Sequence, residues 1–202
     1  MKQAVPVSNN MYWIGVNDRR TAYFENLWPL DKGISYNSYV VMDEKTALVD
    51  TVEASYYEEF EEKLDDLLDG RKLDYLVINH IEPDHGGGIG HIIKKFPEVE
   101  IIANKKTKPM LEGYFGLTEN IRLVADGEEL VLGNSSLRFY LTPLVHWPET
   151  MMTYHIQGKV LFSGDAFGSF GTVDGGLFDK DIKMADYNDE IRRYYSNIVG
   201  KY

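Results

Sequence analysis

The chain has 202 residues, of which 44% are hydrophobic and 26% charged, as is ordinary for a globular protein with its own core. Its net charge of −11 argues against a nucleic-acid-binding surface, and its lack of cysteine excludes disulfides, thiolate nucleophiles and iron–sulfur clusters. No apolar run approaches the ~20 residues of a membrane span, and the N-terminus holds no apolar signal core. We therefore expect a cytoplasmic protein that binds neither nucleic acid nor membrane.

Strand-like segments dominate both ends of the chain, and strand–helix–strand units lie between them. The predicted strands are 11–16, 37–42, 46–50, 74–80, 99–103, 121–124, 128–132, 136–142, 151–157 and 159–165. The predicted helices are 57–68, ended by Gly70, then 89–96, 104–115 with Pro109 near its middle, and 185–202; residues 166–176 are predicted to form a loop. This order indicates one domain with two sheets packed face to face and helices outside.

The most informative segment is N-H-I-E-P-D-H-G-G-G, residues 79–88, at the end of the buried strand 74–80. Alternate residues of an extended segment share a side, so His80, Glu82 and Asp84 are predicted to converge. An imidazole and two carboxylates at a strand end are suitable ligands for a metal ion. The alternative is a polar loop beside a helix start, but the ligand types, their spacing and their position together favour a metal site.

Two distant segments can complete this site. His146 follows strand 136–142 in LTPLVHWPET, and Asp165 ends strand 159–165 in VLFSGDAF. Strand ends on one side of a sheet are where layered α/β folds build their sites. Each residue alone is a weak signal, but together with the first motif they predict that His80, Glu82, Asp84, His146 and Asp165 come together.

The order H-x-E-x-D-H, then His, then Asp, resembles the metallo-β-lactamase superfamily and, more narrowly, the flavodiiron proteins, which reduce oxygen or nitric oxide. The resemblance also includes FENLWPLDKGISYNSYVV (24–41), LVDTVE (48–53), PLVHWPETM (143–151), LFSGDAFG (161–168) and RRYYSNIVGKY (192–202). Hydrolases of the superfamily carry H-x-H-x-D-H and bind zinc. Here the second His is Glu82, and mixed imidazole and carboxylate ligands suit iron.

The resemblance implies a metallo-β-lactamase-like αββα four-layer sandwich over residues 1–202, incomplete at the C-terminal side and without the family's flavodoxin-like domain. It implies a diiron centre in which His80, Glu82 and His146 hold one iron, Asp84 holds the second, and Asp165 bridges them, with His85 as a possible further ligand. Family members supply a sixth ligand, a His, in a stretch that would follow Tyr202. The chain alone is therefore expected to hold one iron more firmly than the other and to be a poor O₂ or NO reductase.

The resemblance also implies an activity: reduction of O₂ to water or NO to N₂O with electrons from FMN. The FMN would come from a separate domain or another protein, and in this family it faces the diiron site of a neighbouring subunit in a head-to-tail dimer. Two alternatives stay open, a zinc-dependent hydrolase of the same fold and a non-catalytic diiron module that senses O₂.

Other residues carry weaker signals, for which a structural role is the simpler interpretation. His91 and His155 are expected to be structural. Trp147 is either a core aromatic or part of the pocket wall. Alternatively, Tyr194 or Tyr195 could place a hydroxyl near the substrate. Phe24 and Glu25 belong to a loop that could approach the site.

Overall fold

The computed structural model describes residues 3–172 and 176–200. The strands are β1 (Val5–Ser8), β2 (Met11–Trp13), β3 (Val16–Asp18), β4 (Tyr23–Phe24), β5 (Trp28–Pro29), β6 (Ile34–Tyr36), β7 (Tyr39–Met42), β8 (Thr46–Val49), β9 (Tyr75–Val77), β10 (Glu100–Ala103), β11 (Ile121–Leu123), β12 (Glu129–Val131), β13 (Ser136–Leu141), β14 (Met151–His155) and β15 (Val160–Phe162). The α-helices are α1 (Tyr57–Leu68), α2 (Pro83–Gly86), α3 (Ile89–Lys95), α4 (Thr107–Phe115) and α5 (Asn188–Tyr194).

Two sheets form the centre of the described part of the chain. The larger sheet has the order β1, β2, β7, β8, β9, β10, β11, and the smaller has the order β12, β13, β14, β15. Strands β8 to β11 run parallel, so their carboxyl ends lie at one edge of the sheet. The smaller sheet is antiparallel throughout. Two short pairs, β3 with β6 and β4 with β5, stand apart from both sheets.

Apolar side chains fill the space between the sheets and the space under the helices. The inner faces meet through a cluster that includes Val41, Val49, Val77, Leu137 and Phe139. Helix α1 packs on the other face of the larger sheet, where its apolar stripe is buried and its acidic face is mostly exposed. The outward face of the smaller sheet carries exposed side chains such as Tyr140 and Leu161. Helix, sheet and sheet are therefore three of the layers that the sequence predicted.

Asn79 joins the two sheets at the edge where the predicted site lies. Its side-chain amide donates to the Phe162 carbonyl over 3.1 Å, and its oxygen accepts from the Thr153 hydroxyl at 2.6 Å. Its own carbonyl accepts from the Met151 N–H at 3.0 Å. The ends of β9 and β15 are thereby fixed against each other, and the predicted two-sheet arrangement is confirmed.

The structure differs from the predicted elements in several places, among them the short strands β1, β4, β5 and β6 and helix α2, which were not predicted. The predicted strand 11–16 splits at Gly15 into β2 and β3, which belong to different sheets. The predicted helix 185–202 is a short 3₁₀ turn followed by α5 and a π-helical turn, Tyr195–Val199, and residues 201–202 lie outside the described residues. Pro109 sits in the first turn of α4, where its missing N–H costs nothing. Of the predicted loop 166–176, residues 173–175 are also outside the described range.

No helix among the residues that the structure describes is long and apolar enough to cross a membrane.

Candidate metal centre

The motif 79–88 leaves the carboxyl end of β9 and is held there by the end of β8. The carboxylate of Asp50 accepts from the N–H groups of Asn79 and His80 at 2.7 and 3.4 Å. The hydroxyl of Thr51 donates to the His85 carbonyl over 2.6 Å. The loop is thus tied by its backbone to the parallel sheet, and its side chains are free to point into the site.

The Gly86–Gly88 run allows close packing and does not adopt unusual dihedral angles at Gly86 and Gly87. Gly86 and Gly87 both lie in helical conformation. A Cβ at Gly87 would lie 2.5 Å from the Ala54 nitrogen and 2.7 Å from the Pro83 carbonyl oxygen. The glycines therefore let the motif lie directly against the turn that follows β8.

One group of side chains combines two imidazoles and two carboxylates. The Glu82 Oε2 atom lies 3.0 Å from His80 Nε2 and 2.8 Å from His146 Nε2. The Asp165 Oδ2 atom lies 3.4 Å from His80 Nε2 and 3.2 Å from His146 Nε2. One ligand atom from each residue falls within 4.8 Å of all the others, so the set can hold a metal ion. We call this set the first group.

A second group shares Asp165 with the first. His85 Nε2 lies 2.9 Å from Asp165 Oδ1 and 3.6 Å from Asp84 Oδ2. The ligand atoms of these three residues also lie within 4.8 Å of one another. Asp165 therefore presents Oδ2 to the first group and Oδ1 to the second, which is the arrangement of a carboxylate that bridges two metal ions.

The structure brings together all six residues that the sequence selected. The alternation argument placed His80, Glu82 and Asp84 on one side, but Asp84 lies with His85 in the second group because the chain turns into α2 at Pro83. The grouping instead follows the division that the family resemblance implied. His85, ranked as only a possible ligand, faces Asp165 as directly as the first-group imidazoles do.

The charges of the first group are strongly coupled. Burial opposes protonation of His80 and His146, but hydrogen bonds with carboxylates outweigh it and raise their pKa values to about 9 and about 10. Burial acts against ionisation of Glu82, yet hydrogen bonds from His146 and His80 hold its pKa well below the usual range. In the absence of metal, the imidazoles therefore carry protons that balance the carboxylates.

The second group is charged differently. Burial raises the pKa of Asp84 to about 7, with the neighbouring carboxylates Asp165 and Glu82 adding to the effect and His85 opposing it. Burial also disfavours the charged form of His85, but the negative charges of Asp84 and Asp165 raise its pKa well above the usual value. Burial opposes ionisation of Asp165, but the charge of His85 and hydrogen bonds from His146 and His85 keep its pKa well below the usual range.

Several buried polar atoms have no hydrogen-bond partner in the described part of the chain. Within the two groups these are Glu82 Oε1, Asp84 Oδ1 and His85 Nδ1. A buried polar atom without a partner is costly, and a metal ion supplies such a partner to a carboxylate oxygen. The residues present therefore fit two metal ions with mixed nitrogen and oxygen ligands, a set that suits iron.

Two of the cavities beside the groups reach their carboxylates. One, of about 230 Å³, lies against Asp84 and Asp165 and is lined by Phe167, Phe170 and Tyr194. The other, of about 480 Å³, reaches Glu82 and Asp84 from the side of the β4–β5 turn. Small molecules can thus approach the groups along an aromatic wall and along an acidic one.

The weaker candidates of the sequence divide into those near the site and those away from it. Trp147 lies edge-on to His80, with ring centroids 5.3 Å apart, and Tyr194 is buried and hydrogen-bonded to Asp165. Phe24 and Glu25 line the larger cavity, and a hydrogen bond with Glu82 raises the pKa of Glu25 to about 7. Three residues lie outside both groups: His91, which stacks on Tyr57, His155 in β14, and the exposed Tyr195.

Two buried carboxylates that support the site were missed from the sequence. Asp50 holds the backbone of Asn79 and His80, and Glu149 accepts a hydrogen bond from His80 Nδ1 at 2.7 Å. Both are acids next to apolar residues at the end of a strand or in a loop beside a predicted ligand. That context was the available signal, but it does not tell which distant residue each one contacts.

Comparison with known proteins places the chain in a family. A family model described as ODP family beta lactamase matches residues 34–199. An anaerobic nitric oxide reductase flavorubredoxin from Vibrio vulnificus is 36% identical over 198 residues, which are 96% of this chain and 40% of that protein.

Solved structures agree with this placement. The rubredoxin oxygen:oxidoreductase from Desulfovibrio gigas is 33% identical and superposes with a TM-score of 0.92, covering 98% of this chain and 49% of that one. The flavodiiron protein from Giardia intestinalis is 29% identical with a TM-score of 0.92, covering 98% and 48%. The chain thus spans about half the length of these relatives or less, and the predicted resemblance to flavodiiron proteins is confirmed. The chain belongs to the ODP family of β-lactamase-like domains.

Proposed function

We propose that this member of the ODP β-lactamase family is the diiron domain of an oxidoreductase that reduces O₂ to water or NO to N₂O. The observation that carries the proposal is Asp165, whose two carboxylate oxygens face two different groups of ligand atoms. Relatives named as a nitric oxide reductase flavorubredoxin and a rubredoxin oxygen:oxidoreductase support this chemistry. Residues 1–202 would form one domain of this kind.

The proposed ligands follow the two groups. His80, Glu82 and His146 would hold one metal ion, Asp84 would hold the second with His85 beside it, and Asp165 would be shared by the two. Iron bound there would supply the one-electron redox chemistry that O₂ and NO require. The protein's own contribution is to fix the ligand atoms at the ends of β9 and β15 and in the loop after β13.

Aromatic side chains form part of the wall that a small substrate would meet beside the groups. Phe170 and Tyr194 are buried and pack with ring centroids 5.0 Å apart on one wall of the smaller cavity. The buried Tyr194 hydroxyl interacts with Asp165, the residue that the two groups share. The larger cavity, beside Glu25, is the acidic side from which protons can be supplied.

In this proposal, electrons would come from FMN carried by a flavodoxin-like domain or by another protein. We further propose that the flavin of one subunit faces the metal centre of its neighbour in a head-to-tail dimer. We also propose that the protein acts in the cytoplasm.

The test is to load the chain with ferrous iron without oxygen and count the metal bound. Two iron ions per chain that are magnetically coupled, together with O₂ or NO consumption when reduced FMN or a flavoprotein is supplied, are expected. Asp165→Ala serves as the paired variant that removes the bridge. Zinc bound in place of iron, with hydrolysis of an ester or phosphodiester and no gas consumption, would overturn the proposal. Tight O₂ binding without turnover would instead favour a sensor.

A further inference from the structure

Glu149 is a buried acid that is not among the proposed metal ligands. Its side chain is fully buried, and it lies in the loop that carries His146. Its Oε1 atom accepts from His80 Nδ1 at 2.7 Å and from the Ile81 N–H at 3.2 Å. It therefore contacts the far side of the imidazole whose Nε2 faces the first group.

The backbone of Glu149 is itself fixed by the end of β10. The side-chain amide of Asn104 donates to the Glu149 carbonyl at 2.5 Å. The Asn104 oxygen in turn accepts from the N–H groups of Lys106 and Thr107 at the start of α4. The carboxylate is thus held by a chain of hydrogen bonds that leads back to the parallel sheet. Because it is fixed, it restricts the orientation of the His80 ring.

The chemistry of the pair fixes the state of the imidazole. An ionised carboxylate can only accept hydrogen bonds, so the proton of the contact belongs to His80 Nδ1. With Nδ1 protonated, the neutral ring carries its lone pair on Nε2, the atom that lies 3.0 Å from Glu82. That is the tautomer a metal ion needs, and carboxylates outside metal-bound imidazoles commonly select it.

The charge of Glu149 acts in the same direction. Its second oxygen, Oε2, is buried and has no hydrogen-bond partner within the described residues. A buried anion with an unsatisfied oxygen is costly unless positive charge lies nearby. A cation bound at Nε2 of His80 would supply that charge through the ring, so the same contact makes the first group more attractive to a metal ion.

We propose that Glu149 is a positioning residue, which holds His80 in the tautomer and orientation that let its Nε2 atom bind a metal ion in the first group. The inference rests on the proposed metal centre and concerns only the first group. His85, in the second group, has a looser contact of this kind: its Nδ1 lies 3.5 Å from Asp50 Oδ2. The metal affinity of the second group therefore serves as an internal reference when Glu149 is substituted.

The main experiment measures metal affinity in the whole chain by competition with a chelator, using Zn²⁺ as a redox-inactive probe. Glu149→Gln keeps the shape of the side chain but removes its charge, and its amide can donate to Nδ1. We expect the affinity of the first group to fall by about 10–100-fold, as is typical when such an outer carboxylate is lost. The second group should change less, and Glu149→Asp, which keeps the charge on a shorter side chain, should recover part of the loss.

A second readout follows the proton itself. The ring N–H of His80 in the Zn²⁺-loaded chain should give a slowly exchanging proton resonance coupled to Nδ1. In Glu149→Gln this resonance should shift and exchange faster. Asp18→Asn is the control, because Asp18 is also a buried carboxylate, accepts from Tyr36 at 2.9 Å and contacts no proposed ligand. It should lower stability while leaving the affinity and the His80 resonance unchanged.

The outcomes separate this inference from the proposed function. A native chain that binds Zn²⁺ and iron normally, with a Glu149→Gln variant of equal affinity and an unchanged His80 resonance, overturns the role of Glu149 alone. A native chain that binds no metal overturns the proposed function. In that case the His80 ring N–H is examined in the metal-free chain, and its absence from Nδ1, or its indifference to Glu149→Gln, overturns the inference as well.

Discussion

The two groups that share Asp165 differ in their ligands and in what stands behind them. The first contains two imidazoles and Glu82, and the Nδ1 atom of His80 is held at 2.7 Å by a buried carboxylate. The second contains Asp84 and His85, and the outer contact of His85 is longer, at 3.5 Å. Affinity for a transition metal depends on ligand number and on outer contacts that orient the ligands. We therefore expect the first group to bind its metal ion more tightly.

The largest expected effect comes from removing what the groups share. Asp165→Ala takes one carboxylate oxygen from each group and leaves His80, His85 and His146 without an acceptor that they all contact. We expect the second metal ion to be lost and the first to bind at least about 100-fold more weakly, since losing a ligand should cost at least as much as losing an outer partner. Elemental analysis and chelator competition measure both.

The control for this variant is Asp189→Ala, at an acid whose side chain is 96% exposed. It should retain the metal content and affinity of the native chain. Two tightly held metal ions in Asp165→Ala would show that Asp165 does not bridge the groups and that they are independent sites.

The next effect separates the groups from each other. Glu82→Gln should weaken the first group by about 100-fold and the second by much less, whereas Asp84→Asn should do the reverse. Each substitution keeps the side-chain shape and is the matched control for the other. Titration with Zn²⁺ or Fe²⁺ resolves the two binding steps. Equal losses at both steps in both variants would contradict the assignment of Glu82 and Asp84 to different groups.

Proton release supplies a third comparison. A metal ion binds neutral imidazole, and the pKa values of His80 and His146 in the metal-free chain are raised to about 9 and about 10. Binding to the first group therefore releases protons, and its apparent affinity should rise about tenfold per pH unit for each proton released, up to about pH 9. Chelator competition across this range measures the slope.

The same protons act on the stability of the metal-free chain. Because the folded chain binds them more tightly than the unfolded chain, they stabilise the fold fully below about pH 6.5, and this contribution is lost as pH rises through about 9 to 10. The free energy of unfolding of the metal-free chain should fall across that window, and His91→Gln should leave the profile unchanged because His91 lies outside both groups. A metal affinity of the first group that does not change with pH would contradict the protonated state of its imidazoles.

The sequence was sufficient to select the residues that the structure brings together in the two groups, but not the residues that hold them in place. His80, Glu82 and Asp84 lie in one short segment, and His146 and Asp165 each follow a predicted strand, so local pattern located all of them. Glu149 acts on a residue 69 positions away in sequence. Such a pairing is decided by how two loops meet across the sheets, and no local pattern carries that information.

The strand boundaries show the same limit. Residues 11–16 have the composition of one strand, yet a Cβ at Gly15 would lie 2.2 Å from the Tyr36 carbonyl oxygen. Gly15 lets the chain pass close to β6 as it leaves the larger sheet for the small β3–β6 pair. Composition and alternation predict that a segment is extended, but they do not specify which sheet it joins.

The smallest expected effect concerns how firmly Asp165 is held. The Tyr194 hydroxyl donates to Asp165 from a buried position, whereas the neighbouring Tyr195 is 60% exposed. Tyr194→Phe removes one hydrogen bond with a net value of about 0.5–1.5 kcal/mol, so affinity should fall by a factor of about 2–10. Because Asp165 serves both groups, both binding steps should weaken together, unlike the selective losses in Glu82→Gln and Asp84→Asn. Tyr195→Phe, measured in the same titration, should match the native chain, and a loss confined to one step in Tyr194→Phe would mean that its hydroxyl supports one group only.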